Sequence, residues 1–312
     1  MRIAVLGTGG VGGYFGGRLA AAGTDVTFIA RGQHLAAIRE RGLRIESPNG
    51  HAHISPARAT DDPSTIGPVD LVFFTVKLYD TEPAMAMLPP LVGRETRVIS
   101  FQNGVDSVEV LTRAIGRSHV AGGTAYVAAV ISEPGVIRHT AMGRLIFGSL
   151  DGERLPLLEE LLRACQRAGF DATLSNQILV DIWAKFARLS VFSGMTAVTR
   201  CSIGPIRENA ALAEMMRGAI RESMALARAL GIPLTDALVD EIQVATAALP
   251  PQARSSMLED LERGRPLELP WLSGAVVRLA KEAGVETPIH RFITAVLSPH
   301  VAGRPADRLP AR

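Results

Sequence analysis

Gly7, Gly9 and Gly12 stand in the spacing G-x-G-x-x-G, which suits the pyrophosphate of a dinucleotide. Gly7 makes the tight turn, Gly9 lets the backbone approach the phosphates, and Gly12 lets a helix pack closely on a strand. Gly10 and Val11 complete the loop at the helix start, where free N–H groups favour an anion. Glycine is abundant, at 30 of 312 residues, so this spacing is expected by chance about 0.3 times in the chain. The setting makes it informative. An apolar run, Ile3–Leu6, precedes it, a proline-free stretch of small and apolar residues follows, and Asp25–Ala30 reads as a second strand. The residue ending that strand is Arg31, where an NAD site wants a carboxylate for the ribose 2′-hydroxyl. A guanidinium can pair bidentately with a 2′-phosphate and cannot accept from a hydroxyl. The residue types therefore point to NADPH, with a solvated surface arginine as the bland alternative.

These residues need a sheet to position them. Asp70–Lys77 reads as a buried strand ending in lysine, and Arg97–Gln102 as another, ending in Asn103-Gly104. Strand carboxyl ends line the crevice of such folds, so Lys77 and Asn103 are candidates for contact with cofactor or substrate. As a surface lysine and a turn asparagine they are equally ordinary. Pro48-Asn49-Gly50 between alternating segments predicts a hairpin, which puts His51 and His53 on one strand face. No further ligands accompany them, and no metal site is expected. Between Val120 and Ser149 the turn signals Glu133-Pro134-Gly135 and Ala141-Met142-Gly143 predict three successive short strands. After Leu174 the composition turns helical. Helices are expected over 177–199, 205–230, 235–248, 255–263, 270–283 and 288–297.

The fold class that follows is α/β: an N-terminal Rossmann-type dinucleotide-binding domain over 1–175 and a C-terminal all-helical domain over 176–298. Residues 299–312, rich in proline and arginine, are expected to form a mobile tail. The 33 Lys+Arg against 31 Asp+Glu leave a formal charge of +2, and nucleic-acid-binding motifs are absent. Cys165 and Cys201 have neither metal spacing nor the look of a disulfide framework, and Cys201 reads as a small buried residue. No apolar run long enough for a membrane span is present, and a strand beginning at residue 2 leaves no room for a signal peptide. A soluble, cytoplasmic protein is expected, with neither nucleic acid nor membrane as partner.

The chain resembles the 2-dehydropantoate 2-reductase (ketopantoate reductase) family over about residues 1 to 290. The resemblance rests on Gly7–Gly12, Arg31, Thr75-Val76-Lys77, Gln102-Asn103-Gly104, the segment from Gly123-Thr124 through Pro134-Gly135, His139 and Gly148. It continues in Ile182-Trp183-Ala184-Lys185-Phe186, Met195-Thr196-Ala197, Ser255-Ser256-Met257-Leu258-Glu259-Asp260 and Leu267-Glu268-Leu269. It implies NADPH-dependent reduction of a 2-oxo acid to a 2-hydroxy acid, by default 2-dehydropantoate to pantoate in pantothenate biosynthesis, with the active site between the domains. By matching position, Lys185 resembles the catalytic lysine, Ser256 a substrate-binding serine and Glu268 an active-site glutamate near the cofactor. Asn103 and Ala128 match cofactor-contacting positions, and the resemblance leaves room for a homodimer through the helical domain.

The chemistry of those residue types agrees. Hydride addition to a ketone builds negative charge on its oxygen, which needs a proton or a cation in the transition state. Lys185 can supply both, Glu268 can tune it, and Ser256 can donate to the substrate carboxylate. On pattern alone Lys185 is equally a solvated helix lysine, and Glu268 a helix-start carboxylate. The departures from the family concern the substrate. Leu189 and Ser193 stand where asparagines usually follow the lysine by four and eight residues, and Ile203 lies near a third such position. Leu189 and Ser193 share the Lys185 helix face, so a pocket poorer in amides and richer in apolar surface is expected. Two alternatives stay open: a non-catalytic NADPH-binding protein, and an opine- or 3-hydroxyacid-type dehydrogenase.

Overall fold

Ile3, Ala4, Val5 and Leu6 are all buried because strand β1 (Arg2–Leu6) runs through the middle of a ten-stranded sheet. The computed structural model describes residues 1–304. The chain forms two units, one of Met1–Gln102 with Ser107–Asp181, the other of Asn103–Asp106 with the chain from Ile182 onward.

In the first unit, α1 (Gly10–Ala21), β2 (Asp25–Ile29), α2 (Gly32–Arg41), β3 (Leu43–Glu46), β4 (Ala52–Ile54), β5 (Ala59–Thr60) and β6 (Val69–Phe74) follow β1. Then come α3 (Thr81–Met85), β7 (Val92–Ser100), α4 (Ser107–Ile115), β8 (Val120–Glu133), β9 (Val136–Ser149), α5 (Pro156–Arg167) and β10 (Asp171–Leu174). The sheet order is β4-β3-β9-β8-β7-β6-β1-β2-β5, with β10 also on β9. From β8 through β5 the neighbours are parallel. Because β1 lies between β2 and β6, the winding reverses beside it, and the crevice at such a reversal is where these folds take ligands. Alternate residues of β1 serve two cores. Ile3 and Val5 pack with Tyr14, Phe15 and Phe28, and Ala4 and Leu6 with Val72, Phe74 and Leu111. Burial on both faces is why the strand reads as a continuous apolar run rather than an alternation.

The expected hairpin is present, pairing Leu43 with Ile54. His51 Nδ1 accepts from the Ser47 N–H at 3.2 Å, and His53 Nε2 bonds the Arg41 carbonyl at 2.7 Å. The three short strands expected between Val120 and Ser149 are corrected to two long ones. β8 and β9 are antiparallel and fourteen residues each. Ala141-Met142-Gly143 is a kink inside β9 rather than a turn. Met142 and Gly143 take positive φ (65° and 123°), and the register shifts between Tyr126 and Val127 opposite them. A bulge absorbs the turn-forming residues while the ladder continues on both sides.

The second unit is built from α6 (Ile178–Thr199), α7 (Ile203–Glu208), α8 (Ala210–Ala229), α9 (Ala237–Ala247), α10 (Ser256–Arg263), α11 (Ser273–Ala283) and α12 (Pro288–Leu297). The division between the units falls in the first turn of α6. The helix expected over 205–230 is two, because the Asn209 side chain accepts from the N–H groups of Ala211 and Leu212 and starts α8 afresh. α8 packs against α7, α9, α11 and α12. Of the expected tail, residues 299–304 are held: a short 3-10 turn, Ser298–His300, leads into backbone bonds from Leu267 to Val301 and from Arg304 to Gly264. Residues 305–312 of that expectation lie outside the described residues. No helix among the described residues is long and apolar enough to cross a membrane.

Candidate active site

The glycine loop leaves the carboxyl end of β1. Gly7 takes φ +102°, and a Cβ there would lie 2.7 Å from the Val76 nitrogen. The Thr75 hydroxyl donates to the Gly7 carbonyl at 2.8 Å, which ties the loop to the end of β6. Gly12 is closed in by Thr75 and Val5, with a Cβ position 2.3 Å from the Thr75 Oγ1. Gly9 is different, for nothing lies within 4 Å of its Cβ position. That open side, with first-turn N–H groups of Gly10, Val11 and Gly12 lacking intrahelical acceptors, is the cradle a pyrophosphate needs. Gly10 faces β8, and its Cβ position is 2.0 Å from the Ala129 carbonyl oxygen. Ala128, the neighbouring residue, is half-buried and accepts from the Thr140 hydroxyl at 3.3 Å. These residues fit a bound dinucleotide.

Arg31 directly precedes α2 and is 81 % exposed. Its guanidinium is met by the Asp80 carboxylate at 3.0 Å. Lys77 is exposed, just beyond β6, and its carbonyl accepts from the Asp80 N–H. His34, in the first turn of α2, accepts at Nδ1 from the Gly135 N–H at 3.0 Å and so joins this region to the β8–β9 turn. Burial lowers its pKa, against a bond to the Thr8 backbone that raises it.

In the second unit, three predicted site residues come together. Lys185 Nζ donates to Asn103 Oδ1 at 3.1 Å, and Asn103 Nδ2 donates to Glu268 Oε2 at 3.2 Å. Asn103 is thus an amide bridge between an ammonium and a carboxylate. Gly104 beside it takes φ +84°, and its Cβ position is 3.0 Å from the Trp271 carbonyl, so the Asn-Gly pair is needed for the close approach. Lys185 and Glu268 are both buried. Burial pushes the Lys185 ammonium down from 10.5 to about 8, the charge of Arg188 pushes the same way, and Glu268 opposes both. A lysine so poised is protonated at neutral pH yet gives up its proton readily. Glu268 directly precedes a short 3-10 turn, Leu269–Trp271, and its side chain makes no cap there.

The other substrate candidates are placed less alike. Leu189 is half-buried on α6. Ser193 is buried, and its hydroxyl has no hydrogen-bond partner among the described residues. Ile203 is fully buried and its N–H is taken by the Ala253 carbonyl at 2.9 Å. Ser256 is exposed at the first position of α10. Its neighbour Ser255 has the structural task, accepting from the Leu258 N–H at 3.0 Å and bonding Thr196 Oγ1 at 2.6 Å. Trp183 packs edge-on against Phe186 with ring centroids 5.4 Å apart. Cys201 is half-buried rather than buried, and its Sγ donates to the Thr199 carbonyl.

Three residues escaped the sequence reading. Arg188 follows Lys185 by three residues, a helix-neighbour spacing that could have flagged it. Asp80 and His34 carry no local signal, since their partners lie 49 and 101 residues away.

Known proteins resemble the chain over nearly its whole length. The family model described as ketopantoate reductase PanE/ApbA matches residues 3–152, and that of its C terminal part matches residues 177–300. A 2-dehydropantoate 2-reductase of Mesorhizobium japonicum is 31% identical over 309 residues, covering 92% of this chain and 94% of that one. The crystal structure of a PanE/ApbA family ketopantoate reductase from Ralstonia eutropha JMP134 superposes with a TM-score of 0.87 at 32% identity, over 96% of this chain and 98% of that one. A D-mandelate dehydrogenase solved with NADH and anilino(oxo)acetate shares the fold, with a TM-score of 0.86 at 21% identity over 96% and 98% of the two chains.

Proposed function

Because the chain belongs to the ketopantoate reductase family, whose members are oxidoreductases acting on CH–OH groups, we propose that it reduces the ketone of a 2-oxo acid to a 2-hydroxy acid with NADPH. The observation carrying this reading is the chain Lys185–Asn103–Glu268 with the lysine's lowered pKa. NADPH, when bound, supplies hydride to the carbonyl carbon. Lys185 holds a proton at Nζ for the carbonyl oxygen and offsets the charge growing there. Asn103 keeps the ammonium on target by accepting one of its N–H groups. Glu268 holds the Asn103 amide in register and raises the lysine's pKa against burial and Arg188. Gly9 and the first turn of α1 receive the pyrophosphate, and Arg31 the 2′-phosphate. Ser256 is assigned the substrate carboxylate. A protein that only stored NADPH would have no use for a buried, acid-ready lysine bridged to a carboxylate.

The substrate reading is finer. Leu189 presents apolar surface one turn from Lys185 where an amide would bond a substrate hydroxyl. Apolar surface favours an apolar side chain by about 25 cal/mol per Å² buried, while a site lacking the amide loses its discrimination for a hydroxyl. The preferred 2-oxo acid is therefore one with a more apolar or bulkier side chain than ketopantoate. The D-mandelate dehydrogenase that shares the fold was solved with an aryl-bearing ligand, anilino(oxo)acetate.

NADPH oxidation against ketopantoate and a panel of branched and aromatic 2-oxo acids tests both levels. Turnover with none of them sinks the reductase reading, and a kcat/KM highest for ketopantoate sinks the finer one. In parallel, Lys185→Ala is expected to bind NADPH nearly normally and to lose about 10²- to 10⁴-fold in kcat, the scale of a general acid. Collapse of NADPH binding with turnover per bound complex intact would instead make Lys185 a cofactor anchor.

A further inference from the structure

Arg31 does not wait for its phosphate alone. Its guanidinium, following the carboxyl end of β2, is met by the carboxylate of Asp80, beyond the carboxyl end of β6, at 3.0 Å. β2 and β6 are the two neighbours of β1 in the sheet, so this ion pair joins the two sides of the crevice into which the glycine loop opens. The adenosine ribose of a dinucleotide lies at the end of β2. Asp80 therefore places a negative charge beside the 2′ position, on the group assigned to a 2′-phosphate.

Two consequences of that pair have opposite signs. By holding Arg31, Asp80 reduces the rotamer freedom lost when a phosphate binds. That gain is small, since Arg31 is 81 % exposed and exposed ion pairs restrain their side chains weakly. By its charge, Asp80 repels the phosphate. A single charge about 6 Å from a phosphate dianion in water weakens binding by about tenfold, and by about threefold once physiological salt screens it. Repulsion is the larger effect, and NADH escapes it because its 2′-hydroxyl is neutral. A hydroxyl can moreover donate to a carboxylate.

We propose that Asp80 is a specificity-determining residue that moderates the preference for NADPH over NADH, acting as an internal counter-ion to Arg31. The proposal rests on the assignment of Arg31 to the 2′-phosphate. Asp80 is a clean position to perturb. Its side chain caps no backbone group of the following helix α3, so its amide analogue leaves that helix start unchanged.

The test measures dissociation constants of NADPH and NADH for the full-length protein by titration of nicotinamide fluorescence, at low and at physiological salt. Native protein, Asp80→Asn, Asp80→Ala and Arg31→Ala are compared, with thermal melting as the check on folding. Expected for Asp80→Asn and Asp80→Ala is NADPH bound about 3- to 10-fold more tightly, NADH changed by less than about twofold, and a gain that shrinks as salt rises. Arg31→Ala should lose NADPH affinity with NADH nearly unmoved. If Arg31→Ala behaves so but both Asp80 variants leave the ratio within twofold, or weaken NADPH, the counter-ion role is overturned while the phosphate assignment stands. If Arg31→Ala leaves both affinities unchanged, the phosphate assignment fails and the proposal falls with it.

Discussion

The pKa of Lys185 can be read directly from the pH dependence of reduction. An ordinary lysine near 10.5 is still about three-quarters protonated at pH 10. Lys185, held at about 8, would be about 1 % protonated there. If the lysine donates the proton, kcat/KM for reduction should be flat below pH 8 and fall about tenfold per pH unit above it, reaching about a hundredfold loss at pH 10. Oxidation of the hydroxy acid, which needs the neutral amine, should rise over the same interval. The two charges acting on the lysine give the assignment a sharper test. Arg188 lowers the pKa, so Arg188→Gln should move the break to higher pH. Glu268 raises it, so Glu268→Gln should move the break to lower pH. The assay is initial-rate NADPH oxidation from pH 6 to 10.5 at subsaturating substrate, with the cofactor saturating. A profile flat to pH 10, or breaks that move the same way in both variants, would refute the assignment of the proton to Lys185. The same shift has a stability counterpart. Because the folded pKa lies below the unfolded one, folding disfavours the charged form. That cost is fully present below pH 8 and disappears as pH rises through 10.5. The native protein without ligand should therefore gain stability between pH 8 and pH 10.5, a rise that Lys185→Met should lack, whatever it loses at either pH through the missing bond to Asn103. Chemical denaturation at the two pH values measures it.

Two further expectations concern the loop and the pocket. Gly10→Ala drives a Cβ into the Ala129 carbonyl, which cannot rotate away, and should cost about 1–3 kcal/mol in stability by denaturant melting. Gly9→Ala meets only open space, so its melting should be unchanged while NADPH titration shows weakened binding; equal effects at the two positions would contradict the cradle. Leu189→Asn, which restores an amide one turn from Lys185, should shift kcat/KM toward ketopantoate relative to an apolar 2-oxo acid, and unchanged ratios would remove Leu189 from the pocket. Ser193→Asn is a poorer test, because Ser193 is closed off inside the unit and the larger side chain would strain the fold.

What the sequence determined by itself is local. The glycine fingerprint, the doubly apolar run of β1, the Asn-Gly hairpin and the helix at Pro288–Leu297 are each set by neighbours along the chain, through turn geometry, capping and periodicity. Even so, a local signal misled at Met142, where turn-forming residues were absorbed into a bulge because the long β8–β9 ladder outweighs them. The break at Asn209 was legible as a capping residue but lay inside a continuous helical pattern. Resemblance to a family singled out Lys185, Asn103 and Glu268 without saying what joins them. Only tertiary structure decided that Asn103 spans the lysine and the glutamate, 82 residues from one and 165 from the other. It alone decided that Arg31 faces Asp80, and that Lys185 is dry enough to shift by burial. Hydrogen-bond partners, burial and the field of distant charges depend on which surfaces the fold brings into contact, and short-range pattern contains no information about them.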